Sequence, residues 1–149
     1  MEISKKGLKF LKSLEGCSLT SYLCPAGILT IGYGHTGVEV HADMGITEKE
    51  AEDFLLKDLE KFEEKISSLL KVEVKQREFD SMICLAFNIG LKAFENSTVL
   101  KRINEKAKKK DIISAWILWD KITVNGEKQV SKGLMNRRFK EVAFYCGKL

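Results

Sequence analysis

A chain of 149 residues, 44% of them hydrophobic, is long enough to bury a core of its own and is expected to fold as one soluble unit. Twenty-five basic against 21 acidic residues give a formal charge of +4, a mild attraction to polyanions that does not choose between nucleic acid and the acidic polymers of a bacterial envelope. The opening Met1–Lys6 has no apolar run and no later stretch approaches the roughly 20 apolar residues of a membrane span, so neither an export signal nor membrane insertion is expected of this chain.

Ile3, Leu8, Leu11 and Leu14 lie near helical spacing behind the capping residue Ser4, and predict a first helix that stops near Glu15-Gly16. The signals then change to two short β-prone pieces, Leu19–Tyr22 and Leu29–Tyr33. Between them Cys24-Pro25-Ala26-Gly27 contains the only proline and favours a turn, so a hairpin would bring Cys24 and Thr30 close together. Thr47-Glu48-Lys49-Glu50 reads as a capping box. Ala51, Phe54, Leu55, Leu59, Phe62, Ile66 and Leu69 follow on one stripe and predict a long helix joining two lobes.

The second half reads as almost wholly helical. Phe79, Met82, Ile83, Ala86 and Phe87 form an apolar face closed by Gly90, and a short helix is expected around Thr98–Asn104. Beyond the basic run Lys106–Lys110, Asp111 is expected to cap a helix carrying Ile112, Ala115, Trp116 and Trp119, and Asn125-Gly126 marks a tight turn. A last helix from about Leu134 carries Phe139, Val142 and Cys146 and ends at Gly147. No internal repeat or low-complexity segment interrupts this order.

One glycine-punctuated stretch stands out, Thr30-Ile31-Gly32-Tyr33-Gly34-His35-Thr36, and upstream of it lie Glu15 at a helix end and Cys24 at a turn. A carboxylic acid, a thiol and a hydroxyl at fixed intervals suggest an active site. Each has a duller reading: a solvated glutamate, a small packed cysteine, a β-prone threonine. His35 reads as a hydrogen-bonding brace for a turn, Gly32 and Gly34 as positions where backbone turns or approaches a ligand, Phe87 with Trp116 and Trp119 as core, and Lys106–Lys110 as a solvated face. Cys17, Cys24, Cys84 and Cys146 show no C-x-x-C pairing and read as free thiols; a zinc site of Cys17, Cys24, His35 and His41 lacks ligand spacing.

Glu15, Cys24 and Thr30 within Thr-Ile-Gly-Tyr-Gly-His resemble the catalytic signature of the phage-type lysozymes, the endolysins of glycoside hydrolase family 24. The order of helix, small sheet, long helix and helical remainder agrees. Phe79–Gly90 and Gly133–Arg138 resemble that family too, so the likeness spans nearly the whole chain. It implies an α+β, mainly helical, lysozyme-like two-lobed fold over 1–149, with a small antiparallel sheet in the N-terminal lobe and a cleft between lobes. The approximate lobes are 15–60 (sheet and start of the linking helix) and 1–14 with 61–149 (helical). By the same resemblance Arg137 pairs with and orients Glu15, and Thr36, Phe87 and Ser97 match cleft-lining positions, with His35 in support.

The implied function is a peptidoglycan muramidase, cleaving the bond from N-acetylmuramic acid to N-acetylglucosamine without metal or cofactor. Such cleavage needs an acid to protonate the leaving oxygen and a second group on the other face. Glu15 is the expected acid; Cys24 and Thr30 are expected to position the water. An acid must keep its proton near neutral pH, which burial favours and a neighbouring cation opposes. Many relatives carry aspartate where Cys24 stands, and a thiol is mostly neutral at pH 7 unless its surroundings favour the thiolate. That departure admits a lytic transglycosylase, in which the muramic 6-hydroxyl attacks in place of water. A non-catalytic peptidoglycan-binding module is a third reading, and a nucleic-acid-binding protein a distant fourth that lacks any recognition motif. The chain is expected to be a monomer that collects in the host bacterial cytoplasm and reaches the cell wall through a separate holin-type pore.

Overall fold

A computed structural model describes residues 1–149, which form two compact units, Leu8–Lys61 and a second of Met1–Gly7 with Phe62–Leu149.

In the first unit, α1 (Lys5–Leu14, of which residues 8–14 belong here) gives way to the hairpin β1 (Ser18–Leu23) and β2 (Leu29–Gly32), antiparallel in the register Ser18↔Gly32, Tyr22↔Thr30 and Leu23↔Leu29 with a bulge between the first two pairs. The capping box forms as the sequence requires: Glu50 N–H donates to Thr47 Oγ1 at 3.1 Å and Thr47 N–H to Glu50 Oε1 at 3.2 Å. It starts α2 (Glu48–Leu69), whose residues 48–61 belong to this unit and 62–69 to the other. Ala51, Leu55 and Leu59 recur on its buried stripe and pack a core with Leu11, Ile31 and Val40. The sequence places residues 1–14 with the helical lobe, whereas the structure divides the chain at Gly7. The cause is on α1 itself: Lys12 pairs with Glu52 and sits over the Tyr33 ring at 5.9 Å, tying the end of that helix to the sheet unit.

The second unit is built around α3 (Gln76–Ile89), buried continuously from Phe79 to Ala86 with Asp80 and Ser81 the polar residues of that run. It packs against α7 (Lys132–Tyr145) and α4 (Leu91–Glu95), while α6 (Lys109–Ile117) packs against α5 (Thr98–Asn104) and α7. Gly90 ends α3 with φ 97°, as its place in the sequence predicts. Ser4 caps α1 through Gly7 N–H at 2.9 Å and is itself fixed by Asp80, which accepts from Ser4 N–H at 3.0 Å and from its hydroxyl at 2.5 Å.

Several expectations are corrected. A second hairpin, β3 (Lys121–Val124) and β4 (Glu127–Val130), stands where only a turn is predicted; Asn125 and Gly126 both have positive φ, the signature of a tight primed turn. Helix α4 is unpredicted, and α6 begins at Lys109 rather than behind Asp111, which falls in the first turn, where an acid complements the helix dipole. Helix α7 starts earlier, at Lys132 behind the Ser131 cap. It buries Arg138, Glu141, Phe144 and Tyr145 rather than the Phe139, Val142, Cys146 stripe. Phe139 is 51% exposed.

Candidate active site

Glu15 follows directly on α1: its amide donates to the Leu11 carbonyl at 3.1 Å and its side chain is half-buried. The β1–β2 hairpin sets the next two residues. Cys24 N–H donates to the Ile28 carbonyl at 3.0 Å, and Gly27 N–H returns to the Cys24 carbonyl at 2.8 Å, closing the turn. Thr30, 3% exposed, donates its hydroxyl to the same Ile28 carbonyl at 2.9 Å. The turn also polarises the thiol. The Ile28 amide is the largest influence and holds the Cys24 pKa below its ordinary value; partial desolvation opposes it, and the Ala26 amide and Thr30 hydroxyl add to it. Thr30 has one hydroxyl proton for two acceptors, the carbonyl and the sulfur, and keeps lone pairs that can accept from a water.

Beyond Thr30 the chain doubles back at Tyr33-Gly34. Ile31 and His35 exchange backbone hydrogen bonds of 2.9 and 2.8 Å, and Gly32 (φ 65°) and Gly34 (φ 86°) take the left-handed conformations this reversal needs. The buried His35 ring stacks on Phe54, centroids 4.2 Å apart and planes 9° from parallel. Its Nδ1 lies 2.8 Å from Asp58 Oδ2 and its Nε2 contacts Glu39, a geometry that suits a protonated ring donating to both. Burial pulls its pKa down, but the bonds to Asp58 and Glu39 outweigh that and raise it above the ordinary value. The imidazole thereby braces the reversal against α2. Thr36, next in the chain, is exposed.

The remaining predicted residues lie in the helical unit. Arg137 Nη2 donates to the Cys84 carbonyl at 3.1 Å, and its Nε is 3.7 Å from Glu141 Oε1. Ser97 caps α5, accepting from Leu100 N–H at 3.2 Å while donating to the Phe94 carbonyl at 2.6 Å. It also lines a pocket of about 610 Å³ with Asn88, Trp119, Lys121, Lys128 and Arg138. Phe87 is half-buried, its ring 5.4 Å from that of Phe62. The structure thus brings Cys24 and Thr30 into contact and sets Glu15, His35 and Thr36 in the same unit, whereas Phe87, Ser97 and Arg137 belong to the other.

Two residues beside Arg137 escape the sequence reading. Arg138 and Glu141 are both fully buried and pair at 2.9 Å, and Arg138 also donates to the Trp119 carbonyl at 3.2 Å and to Asn88 Oδ1 at 2.7 Å. Desolvation pushes the Glu141 pKa up to about 7 against the pull of Arg138, Arg137 and the Trp116 indole N–H. A signal exists in retrospect: Leu134, Arg138, Glu141 and Tyr145 share one helical stripe, which sets two opposite charges on the face that the last of them buries.

The phage lysozyme family profile matches residues 12–141. This chain belongs to the phage lysozyme family. It is 38% identical over 145 residues to the endolysin of Acyrthosiphon pisum secondary endosymbiont phage 1, covering 97% of this chain and 98% of that one. Its structure is similar to that of an endolysin from Escherichia coli O157:H7 phage FAHEc1, with a TM-score of 0.92 at 40% identity over 100% of this chain and 96% of the other. It is similar also to the muramidase domain of SpmX from Asticaccaulis excentricus, with a TM-score of 0.91 at 32% identity over 97% of both chains. The family and lysozyme fold that the sequence resembles are the chain's own, and with them membership in the lysozyme class of glycoside hydrolases.

Proposed function

We propose that this lysozyme cleaves the glycosidic bond from N-acetylmuramic acid to N-acetylglucosamine in peptidoglycan, with Glu15 as general acid and Cys24 and Thr30 holding the attacking water. Glu15 gives its proton to the departing oxygen as the anomeric carbon–oxygen bond breaks. Water forms the new bond to that carbon and loses a proton toward the Cys24 sulfur, with Thr30 orienting it; solvent then returns both groups to their starting protonation. The observation that carries the reading is the hairpin turn. It sets the thiol against the Ile28 amide and the Thr30 hydroxyl, which favour the thiolate, so a larger fraction of Cys24 is in the form that can accept a proton than in an ordinary cysteine. Arg137 supports the acid, His35 and Ser97 hold the backbone around the site, and Thr36 and Phe87 meet the sugar. The enzyme works as a monomer, collects in the host cytoplasm and reaches the wall through a separate pore.

One observation favours a second reading. A cysteine rather than a carboxylate at position 24 suits a lytic transglycosylase, whose muramic 6-hydroxyl replaces the water. Mass spectrometry of muropeptides released from purified peptidoglycan, with Glu15→Gln as control, separates the two. Reducing muramic acid ends are expected; anhydro-muramic ends would make the protein a transglycosylase, and no release would leave a wall-binding module.

A further inference from the structure

The pocket of about 610 Å³ in the helical unit falls within the roughly 300 to 1,000 Å³ usual for ligand sites. Its hairpin wall is set by register. Thr123 pairs with Lys128 across the strands, and Lys121 stands two residues before Thr123. The alternation of a strand therefore puts Lys121, Thr123 and Lys128 on one face, and all three line the pocket. The facing wall is fixed by the buried Arg138, which donates to the Trp119 carbonyl at the end of α6 and to Asn88 Oδ1 at the end of α3. With its oxygen so occupied, Asn88 is left with its Nδ2 amide as a donor for a ligand carbonyl. Leu118 and Ile122, 67% and 45% exposed, leave apolar surface open to water in the same pocket.

Charge decides the occupant. The lining carries three cations, Lys121, Lys128 and Arg138, and no carboxylate. Arg138 is compensated by Glu141 at 2.9 Å and Lys121 by Asp120, whereas Lys128 has no acidic partner. An amide donor, open apolar surface and one uncompensated ammonium are complementary to a short peptide that bears a free carboxylate. Peptidoglycan carries such a peptide, the stem joined to the lactyl group of muramic acid, whose carboxyl groups are free in some walls and amidated in others.

We propose that this pocket is a specificity subsite for the stem peptide of peptidoglycan, in which Lys128 pairs with a free carboxylate of the stem and so favours free-acid over amidated walls. The inference rests on the proposed reading that peptidoglycan is the substrate.

The test uses soluble peptidoglycan fragments of one glycan length with free-acid stems, amidated stems or no stem. It takes kcat and KM for the wild type and its Lys128 variants, and Kd for Glu15→Gln, which is expected to bind without turnover. An exposed ion pair is worth up to about fivefold in affinity, so the wild type is expected to show kcat/KM about three- to fivefold higher on free-acid than on amidated stems, carried by KM. Lys128→Gln is expected to equalise the two stems, Lys128→Arg to keep the preference and Lys128→Glu to reverse it. Lys110→Gln, which removes an exposed charge of α6 outside the pocket, is expected to keep it. Equal kcat/KM of the wild type on both stems, a preference that survives Lys128→Gln, or one lost as fully in Lys110→Gln overturns the proposal. If the glutamine variant does not fold, Lys128→Glu carries the comparison, and failure of both to fold marks Lys128 as structural and overturns it as well. Fragments bound with the free-acid preference but left uncleaved by the wild type would end the lysozyme reading and keep the subsite. Cleavage of both stems at equal rates would do the reverse.

Discussion

A thiol at position 24 ties the rate to its own ionisation. The Ile28 amide holds the Cys24 pKa below the ordinary value, so the ascending limb of the wild-type pH profile is expected to follow formation of the thiolate, under the requirement that the general acid keep its proton. In Cys24→Asp a carboxylate ionised at about pH 4 replaces it, so activity at neutral pH is preserved or raised and the climb disappears. A folded but inactive Cys24→Asp would remove that residue from the handling of water. Glu15→Gln cannot donate a proton, and kcat is expected to fall by about 10² to 10⁴ with Tm unchanged; retention of most wall-lysing activity in a folded variant would show that the acid is another group. The local placement of these residues was legible in the sequence, Glu15 at a helix end and Cys24 and Thr30 on a hairpin turned at Pro25, because each depends on short-range signals; the roles proposed for them come from the family resemblance. Arg138 and Glu141 were not legible, because i and i+3 charges on a helix ordinarily face water and only the packing of α7 against α3 and α6 buries them.

At the scale of elements, the start of α1 depends on a missing side chain. A Cβ added to Gly7 would stand 2.4 Å from Asp80 Cγ, and Asp80 cannot withdraw readily: it is 1% exposed and holds Ser4 N–H, the Ser4 hydroxyl and, at 2.9 Å, Gln76 Nε2. Gly→Ala inside a helix would normally stabilise by up to about 1 kcal/mol. Here overpacking of about 1–3 kcal/mol outweighs it, so Gly7→Ala is expected to lower stability in urea unfolding. In an Asp80→Gly background, which removes the Cβ at 2.7 Å as well as the carboxylate, the obstacle is gone and Gly7→Ala turns neutral or stabilising; the same loss in both backgrounds would refute the steric account. Elements with a local signature were read from sequence, among them the Thr47 capping box of α2 and the span Thr98–Asn104 of α5. The β3–β4 strands were not, since seven of their eight residues are exposed and show no alternation, nor was α4, whose five residues are too few to show a helical period.

For the molecule as a whole, two buried titrating groups act in the same direction on stability. Glu141 is raised from 4.5 to about 7, so between those values the folded chain keeps a proton that the unfolded chain releases, and stability falls as pH rises through that window. At about 1.36 kcal/mol per pH unit the loss is about 3 kcal/mol by neutral pH. His35 is also raised, because Asp58 and Glu39 outweigh its burial. Its contribution is complete below its unfolded value of about 6.5 and is lost as pH climbs through the folded one. The Cys24 thiol, lowered by the Ile28 amide, has the opposite sign: its contribution grows as pH rises through the folded value and is complete above its ordinary value of 9.0. The wild type is therefore expected to unfold at progressively lower urea between pH 5 and pH 8. Glu141→Gln removes the lower part of that slope and leaves the His35 part above about pH 6.5, and the substitution is least harmful, or stabilising, at neutral pH where the wild-type carboxylate is charged and buried. An equal slope between pH 5 and 7 in both proteins would mean that Glu141 stays ionised in the folded chain, its desolvation fully offset by Arg138, Arg137 and Trp116.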